Sequence, residues 1–219
     1  MSTLAQLETR ASARLVDAAN AVFATTTLDE GLRAALSDFT AASPLTVETV
    51  ITLPGHGREI ALAALTGLIA VTDVCWPFDS TAVEVWPPNR VRGFSVWWDD
   101  AQPVLYLSSF AGNQPQQDDE LRLWYMKAHT IQNLDSAAVT TIPAHQESQL
   151  VTGAAAYAAL SENVDQIGAL HLDITETAEL RRWGSARLLE WQKFLTSLRT
   201  GPGPAGPPFA SGWQLDQYE

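Results

Sequence analysis

Apolar residues recur at two different spacings along the chain, and the switch between them divides it into blocks. Leu4, Leu7, Ala11, Leu15, Ala18 and Val22 fall at steps of three and four, the stripe of one amphipathic helix. Thr3 and Gln6 have the spacing of a capping box at its start. The threonines at 25–27 read as its stop, and Thr27 with Glu30 as a second capping box. Leu28, Leu32, Ala35, Leu36 and Phe39 then form a second stripe, ending near Ala42 before Pro44.

The period next falls to two. Leu45, Val47, Thr49, Ile51 and Leu53 alternate with their neighbours as a strand does; Pro54-Gly-His-Gly57 reads as a turn, and Arg58–Leu62 as the returning strand. The β-branched run Leu68–Trp76 reads as a central strand. Short strands follow around 82–86, 91–98, 104–108 and 120–127, separated by pieces rich in Pro, Gly, Asn and Asp. Six or seven short strands with regular turns predict a small antiparallel sandwich or barrel over about 45–128.

Helical spacing returns at Pro143-Ala-His-Gln-Glu-Ser-Gln-Leu-Val-Thr-Gly-Ala-Ala-Ala-Tyr-Ala-Ala-Leu160. Pro143 suits a first helical position, where no N–H is needed. A helix of Ala and Gly that is apolar on most sides is buried on most sides and lets neighbouring backbones approach closely. It is expected to be a hub, with Gly153, Ala154 and Ala158 against the helices at 4–23 and 174–199. Ser161–Leu172 reads as a connection. Asp173 to Glu176 reads as a cap for a long helix with Leu180, Gly184, Leu188, Trp191, Leu195 and Leu198 along one seam. The last nineteen residues hold four Pro and four Gly and read as an extended arm. The expectation is therefore an α+β protein: a helical bundle from 1–43 and 143–200, an inserted β domain at 44–142, and a docking arm at 201–219. In the arm, Phe209, Trp213, Leu215 and Tyr218 are the candidate partner-docking residues, because Trp and Tyr are enriched at binding hot spots.

Composition narrows the chemistry. Of 219 residues, 46% are hydrophobic and 17% charged, which is a globular balance. No run has the length of a membrane helix, and the first residues lack the basic start and apolar core of a signal peptide. The single cysteine, Cys75, leaves no internal disulfide, fits a reducing compartment and reads as a buried strand residue. The net charge of −12 argues against tight wrapping of nucleic acid, which needs Lys and Arg to displace phosphate counterions.

No phosphate loop, dinucleotide fingerprint, H-E-x-x-H or nucleophile elbow is present, so no catalytic, cofactor or metal residues are expected. His145 and Glu147 come nearest to an acid/base pair, but two residues apart on a helix they do not face each other. Asp118-Asp119-Glu120 reads as a solvated loop before a strand, His56 as a solvated turn residue, and His129 and His171 as core or surface histidines. Eight tryptophans are many for this length. Five of them, Trp76, Trp86, Trp97, Trp98 and Trp124, fall in the β block, where they could pack the core and subunit contacts or form an aromatic platform for sugars. Trp97 and Trp98 point to opposite faces of a strand, so at least one is expected to face solvent or a neighbour.

The order of these pieces resembles a known family. A helix pair carries Leu28-Asp-Glu-Gly-Leu-Arg-Ala-Ala-Leu36, and a strand and turn follow at Thr49–Ile60. Strands at Pro103–Leu107 and Leu121–Tyr125 precede an Ile142-Pro143 helix start leading into Gly153–Ala159. Over residues 3 to about 199 this is similar to the head–tail adaptor (connector) proteins of tailed bacteriophages. Thr25–Thr27 stands where that family often has Trp or Ser before the acidic helix start, and the arm lies outside the shared pattern. The resemblance implies a structural virion protein rather than an enzyme, located at the neck and in host cytoplasm during assembly. Its implied partners are the portal protein, a tail or stopper (nozzle) protein, and copies of itself in a ring, usually a dodecamer. DNA would pass through the channel without specific binding, and no membrane partner is implied. A carbohydrate-binding tail or surface module, using Trp residues of the β block, is the alternative.

Overall fold

The computed structural model describes residues 2–17, 22–82, 89–100, 102–109, 114–167 and 174–200. The chain is α+β, with helices and two small antiparallel sheets, and the sheets do not close into a barrel. It divides into two compact units: residues 1–43 with 129–219, and residues 44–128.

The first unit contains α1 (Leu4–Arg14), α2 (Thr25–Ala42), α3 (Glu147–Ile167) and α4 (Ile174–Thr200). At the start of α1 the Gln6 side chain accepts the Thr3 N–H at 3.0 Å. The helix is shorter than its stripe predicts. It ends at Arg14, Val16 takes a positive φ of 58°, and Val22 lies exposed beyond it. Ala18 falls outside the described residues. Asp17 closes this turn, its carboxylate accepting the N–H groups of Val22 at 3.0 Å and Phe23 at 2.8 Å. The threonines at 25–27 do not stop a helix but begin the next: the first turn of α2 hangs on the Ala24 carbonyl, which accepts from Thr27 and Leu28. The Thr27–Glu30 spacing therefore falls inside the helix and is not its cap.

Two further boundaries differ from the sequence reading. Residues 129–142, grouped there with the β domain, cluster with the helices. They contain a 3₁₀ turn at Leu134–Ser136, and Ile131, Leu134 and Ile142 are buried in the helical core. The hub helix starts at Glu147, after a turn in which Gln146 donates to the Pro143 carbonyl. It continues to Ile167, through the stretch read as a connection. Nothing between Ser161 and Ile167 breaks a helix; the first glycine is Gly168. The Asp173 cap lies outside the described residues.

The second unit holds β1 (Leu45–Thr52), β2 (Glu59–Ala61), β3 (Leu68–Phe78), β4 (Gly93–Asp99), β5 (Gln102–Ser109) and β6 (Glu120–Lys127). They form two three-stranded sheets, ordered β1-β6-β3 and β2-β5-β4, so the segment read as the returning partner of β1 pairs with β5 in the other sheet instead. Inward residues of both sheets share one core: Val74 and Trp76, Leu121, Leu123 and Tyr125 from the first, Ile60, Leu105 and Leu107 from the second. The segment ahead of β4 lies along β3, where Arg90 bridges to Cys75 and the Val91 N–H donates to the Val74 carbonyl at 2.8 Å. The strand read at 82–86 lies largely outside the described residues.

Candidate functional site

The sequence singles out the hub helix first. From Leu150 to Ala156 every residue of α3 is buried. Three helices surround it, each held by a different device. On α4, Trp191 is fully buried, and a Cβ added to Gly153 would lie 2.7 Å from its ring. Gly184 of α4 sits against Leu160 and Ala159. Ala154 and Ala158 face α2, a helix that the sequence expectation left out. There a Cβ on Gly31 would fall 2.5 Å from the Ala154 carbonyl oxygen and 3.3 Å from the Ala158 nitrogen. The backbones of α2 and α3 touch at this point because residue 31 has no side chain. Leu7 and Ala11 of α1 join the same apolar core, and polar contacts tie α1 to α3. Arg14 donates to Thr152 and Ser148 at 2.7 and 2.8 Å, and Arg10 reaches Glu147 at 2.8 Å.

Four polar groups of this unit have unusual environments. Glu147 is buried, and its carboxylate accepts from the Ser2 N–H, the Ser2 hydroxyl and Arg10. Burial opposes its ionisation, but those hydrogen bonds and the Arg10 charge hold it below the usual carboxylate range. His145 is exposed on the turn ahead of it. Glu8 of α1 is in the opposite position: burial, then a hydrogen bond and charge from Asp29 of α2, push it up to about 7. Asp38 of α2 accepts from Tyr157 of α3 and, at 3.3 Å, from the Trp191 indole of α4. Burial and that carboxylate push the Tyr157 phenol up to about 12.

His129 is buried against Phe39, with the rings edge-to-face at 4.9 Å. Its Nε2 lies 2.9 Å from the Ser43 carbonyl and its Nδ1 lies 3.1 Å from the Thr141 hydroxyl. Since a carbonyl only accepts, Nε2 carries the proton and Nδ1 accepts from Thr141. Burial lowers the pKa of this ring.

The β unit carries the aromatic candidates. Trp76 is buried, whereas Trp97 and Trp98 on β4 are 38% and 59% exposed, so both faces of that strand present tryptophan. Trp97 stands 5.6 Å from Tyr106 of β5, tilted by 39°, and the two rings do not form a flat platform. A second aromatic group lies on the outward face of β1-β6-β3. Glu48 pairs with Trp124 in register and accepts its indole N–H at 3.0 Å. The Arg122 guanidinium lies 4.1 Å from the Phe78 ring centre, 5.9 Å from that of Trp124 and 3.2 Å from Glu48. This Arg–aromatic face went unread in the sequence. Its signal was the alternation Arg122, Trp124, Met126, the polar side of a strand whose other side is Leu121, Leu123, Tyr125.

The acidic run at 118–120 is spent on turns. Asp119 accepts the Gln116 N–H at 2.7 Å, and Glu120 accepts from the Ser80 N–H and hydroxyl. Among the described residues no group of three or more His, Cys, Asp or Glu could hold a metal ion, and no helix is long and apolar enough to cross a membrane. Phe209, Trp213, Leu215 and Tyr218 lie outside the described residues.

No family model matches the chain, and no curated protein matches it. Among solved structures it is similar to a chain from the neck of an empty GTA (gene transfer agent) particle computed with C6 symmetry. That match has 16% identity, covers 73% of this chain and 78% of the other, and has a TM-score of 0.29. A chain from the neck of a native GTA particle computed with C12 symmetry has 17% identity, coverage of 70% and 79%, and a TM-score of 0.28. At these scores the likeness carries no argument about this chain.

Proposed function

We propose that this protein is a structural component of the neck of a tailed phage or phage-like particle, a head-to-tail adaptor that forms a ring below the portal and extends the DNA channel toward the tail. The observation that carries the reading is the order of the segments resembling the adaptor family. They fall on α2, β1 and the turn leading to β2, β5, β6 and α3, which is a helical unit interrupted by a small β unit. Trp97 and Trp98 on β4 and the Arg122–Trp124 face supply residue types favoured in subunit contacts. Ring contacts between identical copies are heterologous, so one copy's face meets a different face of the next.

In this reading the acidic chain lines a channel that repels phosphate and lets DNA slide past. Residues 201–219 act as an arm that docks on the portal or on a neighbouring copy through Phe209, Trp213, Leu215 and Tyr218. The test is the symmetry-averaged image of the assembled particle's neck, with this chain expected in a closed ring. Its absence there, or its presence in one or two copies, overturns the adaptor role. Removing 201–219 is expected to leave the melting curve of the free protein unchanged and to abolish incorporation into particles. A truncated chain that assembles normally removes the docking role of the arm alone.

A further inference from the structure

The chain leaves the helical unit once, after Ser43, and returns to it once, at His129. These two points lie side by side: the His129 ring donates from Nε2 to the Ser43 carbonyl at 2.9 Å. The same residue is tied at its backbone, where the His129 N–H donates to the Thr40 hydroxyl at 3.1 Å. Around it, Ser43 N–H donates to the Phe39 carbonyl, Thr130 N–H to the Thr141 hydroxyl, and Thr141 N–H to the Thr130 carbonyl. One imidazole thus sits at the centre of a patch of hydrogen bonds that fastens the last turn of α2 to the returning segment.

We propose that His129 is a pin that holds the two connecting segments together, and that a second proton on its ring releases them. The neutral ring matches its surroundings in both directions, because Nε2–H meets an acceptor and the bare Nδ1 meets a hydroxyl that can donate. The protonated ring has two donors, and its charge is buried beside Phe39, which disfavours it. Burial acts most strongly on the ring and disfavours the second proton, while the contacts with Ser43 and Thr141 act the other way and are outweighed; no charged side chain is among these influences. α2 contributes Phe39, Thr40 and Ser43 to this patch, and the returning segment contributes Thr130 and Thr141. The pin is fully set above the ordinary histidine pKa. It weakens as pH falls below it, since an opened ring takes a proton that the closed one refuses.

The experiment is hydrogen exchange on the full chain at pH 7.5 and 5.5, corrected for intrinsic rate and read at the amides of Ser43, His129, Thr130 and Thr141. The lower pH is about one unit below the ordinary histidine value, so protection is expected to fall, by about tenfold at the most. In His129→Gln, whose amide keeps an N–H donor near the position of Nε2 without a titrating ring, the fall is expected to vanish. Equal protection at both pH values in the natural protein overturns the proposal, as does the same fall in the variant. If His129→Gln does not fold, the His129 Cε1 proton of the natural protein is followed by NMR instead. A ring that titrates while those four amides keep their protection overturns the proposal equally. A loss of protection that follows the ring's titration supports it.

Discussion

The helical unit and the β unit bury apolar surface by opposite means. Around α3 the contacts are made by the smallest residues, Gly31, Gly153, Ala154, Ala158 and Gly184, and one large ring, Trp191, fills the notch above Gly153. In the β unit, aliphatic residues from two sheets interdigitate, and several of the largest side chains, Trp97, Trp98 and Trp124, are left wholly or partly at the surface. Volume in the first unit is fixed to a few tenths of an ångström. In the second, much of the aromatic volume remains available to a partner. Substitutions of similar size should therefore unfold one unit and merely bare the surface of the other.

The largest effect is expected from Trp191→Ala. It empties a fully buried site against Gly153 and removes a donor to Asp38, and a loss of about 3–5 kcal/mol in chemical denaturation is expected. A loss below about 1 kcal/mol would mean that the notch can collapse. Next comes Gly31→Ala. In an exposed helix this change gains about 1 kcal/mol of propensity. Here the new methyl meets backbone that cannot rotate away, and a net loss of about 1–3 kcal/mol is expected in the same measurement.

Glu8→Gln is a smaller change and runs the other way. Because burial and Asp29 raise the folded pKa of Glu8 to about 7, the folded state keeps a proton that the unfolded chain loses above about 4.5. Its contribution is therefore fullest below that value and is lost as pH rises to about 7. The glutamine variant is expected to melt higher than the natural protein at pH 8, with the gap closing at pH 4.5. A gap that does not narrow on acidification would exclude the shared proton. His129 tilts stability in the opposite sense, downward as pH falls below its ordinary value, so the two are best separated by comparing single variants.

Smallest of all is Trp98→Ala on β4, expected to change stability by no more than about 0.5 kcal/mol. Its effect belongs in assembly: fewer copies incorporated into particles at equal protein concentration. A large loss of stability would instead assign Trp98 to the core of the β unit.

The sequence disclosed what periodicity can carry. Of the stripe of α2, Leu28, Leu32, Ala35 and Phe39 are buried and Leu36 is half-buried against the same core. The alternation read at 45–53 also shows in β1, where half-buried and exposed residues alternate from Leu45 to Thr52. What it could not show depends on partners distant in the chain. Gly31 looks like a mild flaw in a good helix until Ala154 is placed against it. His129 looks like a lone histidine until Ser43, 86 residues away, presents its carbonyl. The threonines at 25–27 suit a stop as well as a start, and the choice fell to the Asp17 turn, whose acceptor lies outside the threonine run. Exposure of both Trp97 and Trp98 was also illegible, since alternation allows either of them to be buried.

The division of the chain has a consequence for its birth on the ribosome. The β unit is one uninterrupted segment and can fold as soon as it emerges, whereas the helical unit is assembled from two pieces made at different times. About a hundred residues separate the end of α2 from the start of α3. At about 5–20 residues per second, α2 therefore waits about 5–20 s with Leu28, Leu32 and Phe39 uncovered. During that interval its greasy stripe is bait for trigger-type chaperones and for other nascent chains. Shielding of that one helix during synthesis is therefore expected to affect the yield of native protein separately from the final stability of the fold.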